Sequence, residues 1–218
     1  MTRIARRRLI ALMLSAAGCL AALSAFAQSS GDRVARLTDL VVQTVPMGEI
    51  FETLAATSSD WPLQEKPGAV SAGQLACLRD ELSEAGYRRM KRTEVVAYVA
   101  ENPGQADADI AVLEDGGARM MSRLMMAGVE QERSGVPVDE ATIMGESSPE
   151  ELAAFMQMMT APDQTGLRKL LGIGNAYAAE RSAEENESAG EDAGADLATR
   201  VMMKAMSNCD VPVNVLFE

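Results

Sequence analysis

The sequence predicts an all-α protein, an irregular multi-helix bundle. Two observations carry this. Apolar residues recur three and four apart along most of the chain, and helix-starting or helix-ending residues stand at the edges of those runs.

Val34, Leu37, Leu40 and Val41 share one face of a first helix that stops near Val45-Pro46. Ile50, Phe51, Leu54 and Ala55 continue as a short second one. Thr57 to Val70, with Trp61-Pro62 and Pro67-Gly68, reads as a loop. Ser71 can cap a helix whose apolar positions are Leu75, Leu78 and Leu82, and Gly86 marks an expected break. Tyr87 to Glu101 reads as helix ended by Asn102-Pro103-Gly104; Val95 to Val99 has strand character, but its flanks favour helix. Between Ala106 and Arg133 the apolar series is interrupted by Gly116-Gly117, so two helices or one kinked helix are expected.

Ser148-Pro149-Glu150-Glu151 is the clearest local signal. The Ser148 hydroxyl can accept from the Glu151 amide while the Glu151 carboxylate reaches back, and Pro149 takes the first helical position, where no donor is needed. Leu152, Phe155, Met156 and Met159 form the apolar face that follows, and Pro162 ends it. Leu167, Leu170 and Leu171 begin another helix, weakened by Gly172 and Gly174. Residues 182–196 hold six acids, no base and no large apolar side chain, which predicts a flexible acidic linker. Residues 197–218 are then expected as a last helix, Leu197 to Met206, and a tail docked back on a domain spanning 28–181.

Residues 1–27 read as a cleaved export signal. Arg3, Arg6, Arg7 and Arg8 precede an apolar stretch from Leu9, and Ala25-Phe26-Ala27 fits a signal-peptidase cut between Ala27 and Gln28. The expected location is periplasmic or secreted, in a Gram-negative bacterium. Ala17-Gly18-Cys19 supplies an alternative, lipid anchoring at Cys19. Cleavage after Ala27 removes four bases and no acid from the 20 basic and 32 acidic residues, so a mature chain of 191 residues carries a charge of −16. That argues against nucleic acid or anionic lipid as a partner, both of which need basic surface. No stretch beyond the signal is long and uncharged enough to span a bilayer. The two remaining thiols, Cys77 and Cys209, form an even pair in an oxidising compartment and predict a disulfide.

Histidine is absent, which removes His-based triads, His metal sites and the usual neutral-pH proton shuttle. No P-loop or dinucleotide fingerprint is present, and no cofactor is expected. Asp107, Asp109, Glu114 and Asp115 lack the spacing of a calcium loop and read as solvated helix surface. Methionine is in excess, with doublets at Met120-Met121, Met125-Met126, Met158-Met159 and Met202-Met203. Met121/Met125 and Met202/Met206 stand four apart, which makes thioether binding of Cu(I) one alternative. An adaptable helical core or a greasy groove is another.

The stretch Ser148 to Pro162 resembles the signature of a family of small helical secreted bacterial proteins of unknown function, roughly F-T-x-x-E-L, a helix, F-Y-x-S-P, then G-x-K. Ser148 stands at the threonine, Glu151-Leu152 at E-L, Met158-Met159 in place of F-Y, and Thr160-Ala161-Pro162 in place of x-S-P, with Gly166 and Lys169 as late counterparts. The resemblance covers about a quarter of the chain. It implies a helical, exported domain with no known activity.

The function expected is non-enzymatic binding or accessory work in the cell envelope, on a protein or lipidic partner. The candidate face is Met120, Met121, Leu124, Met125, Phe155, Met156 and Met159. A carboxylate-based hydrolase is the alternative, and it requires a concave site with two converging acids.

Overall fold

The computed structural model describes residues 30–216. The export signal, its cut at Ala27-Gln28 and Cys19 lie outside the described residues. No strand occurs among the described residues, and no helix among them is long and apolar enough to cross a membrane.

The first helix, α1 (30–44), buries Val34, Leu37, Thr38 and Val41 on one face. Pro46 breaks the chain, and α2 (Met47–Ala55) turns Met47, Ile50 and Phe51 inward. The Phe51 ring meets buried Trp61 at 5.7 Å between centroids. Trp61 sits in the loop between α2 and α3, which Arg79 ties down by donating to the carbonyls of Ser58, Ser59 and Trp61.

Helix α3 (Ala72–Leu82) begins at Ser71 with a full capping box completed by Gln74, and buries Leu78 and Leu82. The break expected at Gly86 falls instead at Ser83, which caps α4 (Glu84–Glu101). Gly86 lies inside the first turn of α4 because the helices cross there: a Cβ would stand 2.2 Å from the Glu81 carbonyl. Val95 and Val99 are buried helix positions, not strand.

Helix α5 (Ala106–Val112) runs into a π turn, Leu113–Gly117, and then α6 (Ala118–Ser134). Gly116 adopts φ 133°, so the interruption is a kink between two helices. Gly135, left-handed at φ 69°, ends α6. A short helix that the sequence reading missed, α7 (Glu140–Gly145), follows, capped by Asp139. Helix α8 (Pro149–Thr160) forms with the Ser148–Glu151 capping box and packs across the π turn; Gly172 ends α9 (Thr165–Leu171) in the left-handed region.

The expectation of a linker over 182–196 is corrected. Those residues are the opening half of one continuous 26-residue helix, α10 (Ala183–Asn208). Ser182 and Glu185 make a third capping box, Glu184 and Glu185 face the positive end of the helix dipole, and alanine costs little helical entropy. What composition does report is burial: the inward residues, Leu197, Val201, Ala205 and Met206, all lie in the second half. That half packs on α3, and the Cys77–Cys209 disulfide joins them with Cα atoms 5.7 Å apart.

Candidate functional site

Two surfaces and one buried cluster stand out. The first surface is an arm, α6 and α7 with the turn between them. Residues 121–147 include nine large apolar side chains, Met121, Leu124, Met125, Met126, Val129, Val136, Val138, Ile143 and Met144, yet none of the side chains described in this stretch is buried. Val136 is 63% exposed and Met144 38%. Met121, Met125, Met126 and Val129 touch the core from its edge.

The candidate face drawn from sequence therefore divides. Met120 and Met159 belong to the closed core, together with Met158. Met121, Leu124, Met125 and Phe155 are half-buried at its edge, and Met156 is exposed. Helical spacing placed these residues on two stripes, but it did not show that α8 covers only the base of α6.

The arm is clamped at that base by polar groups. Arg119 donates to the Glu151 carboxylate at 2.9 Å, and Arg123 donates to Ser147 at 2.8 Å. Ser147 also donates to the Met120 thioether at 3.2 Å, so this sulfur is already engaged. The Ser148 amide, and after it Arg119, holds the Glu151 carboxyl below the usual range. Met206 of the second thioether pair is fully buried and Met202 half-buried.

The buried cluster corrects the reading of the acids near residue 110. Asp107 and Glu114 do face solvent, paired with Arg33 and Arg36. Asp109 does not: it is fully buried, the only buried carboxyl among the described residues. Tyr98 donates to it at 2.5 Å and Gln105 at 3.0 Å. Burial raises its pKa, opposed by those two donors. No sequence signal distinguished Asp109 from its neighbours, because its burial depends on α5 packing against α8 and on Tyr98 of α4 reaching it.

The second surface is a cleft of about 1120 Å³ between α4, the end of α9 with the loop after it, and α10. Its lining is rich in charge. Arg89 is paired with Glu81, and buried Lys91 with Glu94. The Lys91 ammonium also donates to the Leu170 carbonyl at 2.9 Å and lies 5.8 Å over the Tyr87 ring, so it is held structurally. Lys169, Arg181, Arg200 and Lys204 line the same cleft without an ion pair among the described residues, as do Asp192 and Asp196.

These cleft residues were missed from sequence. The four-residue spacing of Asp192, Asp196, Arg200 and Lys204 was there to read, but it straddles the point where the linker was expected to end. As to the two converging acids a hydrolase needs, Asp192 and Asp196 are both exposed and stand on the same helix, not on opposite walls. Comparison with protein-family models, with curated proteins and with solved structures finds no match to this chain.

Proposed function

We propose that this chain is an exported, non-enzymatic binding or accessory protein that holds a protein or lipidic partner against the apolar side of its α6–α7 arm. The observation that carries the reading is the unburied stretch 121–147. Of nine large apolar side chains on this arm of helix and turn, Val136 and Met144 are exposed and the other seven only half-buried, so part of their surface stays in water, at a cost of roughly 25 cal/mol per Å². Exposed apolar surface collected in one place on a small chain is the usual mark of an interaction site. Methionines suit it, because a thioether side chain adapts to more than one partner shape. Export is supported by the disulfide, since such bridges persist in oxidising compartments.

The test is site-specific photo-crosslinking in the cell envelope. A crosslinker at Met144 or Met125 should trap a discrete adduct, whereas one at Thr53 on exposed α2 surface should not. Equal trapping at all three positions, or none, would sink the reading.

A further inference from the structure

The cleft beside α10 supports an inference independent of the arm. Once the internal pairs Arg89–Glu81 and Lys91–Glu94 are set aside, the charges that remain have an order. Asp192, Asp196, Arg200 and Lys204 follow one another every four residues, so they lie along one face of the helix. At about 1.5 Å of rise per residue, the midpoint of the acid pair and that of the basic pair stand ~12 Å apart. Asp196 makes no ion pair with Arg200 one turn on, although their spacing allows it.

The cationic end has further support. Arg200 donates one amino group to the Gly172 carbonyl at 3.1 Å, which leaves most of its five donors open. Lys169 stands three residues before that glycine on α9 and also lines the cleft. Arg181, which also lines the cleft, donates to the Asn175 carbonyl at 2.9 Å. Asn175 also lines the cleft, and its carboxamide makes no hydrogen bond among the described residues. It offers a donor and an acceptor together, the pair that a peptide bond requires.

From this charge order we infer that the cleft binds a short, unblocked peptide in extended form, its amino terminus at Asp192 and Asp196 and its carboxylate at Arg200, Lys204 and Lys169. An extended chain advances about 3.3 Å per residue, so ~12 Å between terminal charges selects roughly four residues. A free amino acid has its two charges too close together to reach both ends. A cleft of 1120 Å³ exceeds the 300–1,000 Å³ typical of small-molecule sites and suits an elongated ligand.

The experiment is calorimetric titration of the protein with tetra-alanine, its N-acetyl form, its C-terminal amide and the doubly blocked peptide. Each single block should weaken binding about tenfold or more, the size of a lost charge-assisted hydrogen bond. In Lys169→Gln/Arg200→Gln/Lys204→Gln, amidation should cease to matter while acetylation still does. In Asp192→Asn/Asp196→Asn the pattern should reverse. All five side chains are exposed, so these variants keep the fold, which circular dichroism verifies. Absence of tetra-alanine binding at millimolar concentration overturns the inference. So does equal binding of the four peptides, or block effects that survive in the matched variants.

Discussion

Gly116→Ala should cost this protein a large part of its stability, and the structure gives two separable reasons. The first is backbone conformation. Gly116 sits at φ 133°, outside what an L side chain adopts, and forcing a residue there costs about 1–3 kcal/mol. The second is space. A Cβ at Gly116 would stand 2.7 Å from the Glu151 Cα and 2.6 Å from its Cγ, where α8 lies across the π turn. Relief by backbone movement would disturb the Ser148–Glu151 capping box, and overpacking of this kind costs a further 1–3 kcal/mol or so. The sum is on the order of 4 kcal/mol, against the ~5–15 kcal/mol typical of a folded domain. At about 2–4 °C per kcal/mol for a chain of this size, the melting temperature should fall by roughly 10 °C. Urea and thermal unfolding followed by circular dichroism measure it. Gly128→Ala is the control: it lies inside α6 with nothing within 4 Å of the added Cβ, and should stabilise by about 0.5–1 kcal/mol. If Gly116→Ala unfolds within ~1 kcal/mol of the parent, the account of the π turn is wrong.

Three further outcomes follow from named contacts. Replacing Cys77 and Cys209 by serine removes a cross-link across 132 residues, for which chain entropy gives about 5 kcal/mol; an unchanged urea midpoint would contradict the bridge. Asp109 has a raised pKa in the fold, so the neutral acid fits better, and the stability it contributes is present at low pH and lost as pH rises through its folded value. Asp109→Asn should therefore gain on the parent with increasing pH above the ordinary aspartate range, and a stability difference independent of pH would refute this. Ser182→Ala should weaken the start of α10 by about 1 kcal/mol and speed amide exchange over 183–196 about fivefold; parent amides there exchanging at unstructured rates would refute the long helix.

Much of the helical plan was legible because its signals are local. Ser71 and Ser148 announce helix starts through groups within three residues of themselves, and Pro162 ends a helix by chemistry of its own backbone. Local signals also misled where two of them conflict. Residues 182–196 have the composition of a linker and the cap of a helix, and the cap prevails. Gly86 reads as a helix breaker, yet it is the contact point where α3 and α4 meet closely.

By itself the sequence determined the all-helical class, most helix starts, and the pairing expected of Cys77 with Cys209, because these follow from neighbouring residues or from counting. Only the tertiary structure decided which methionines are core and which lie on an open arm, why Asp109 is buried beside Tyr98, and that four charged residues of α10 face a cleft. Each of those depends on which helix crosses which, and contacts between residues far apart in the chain leave no local trace in the sequence.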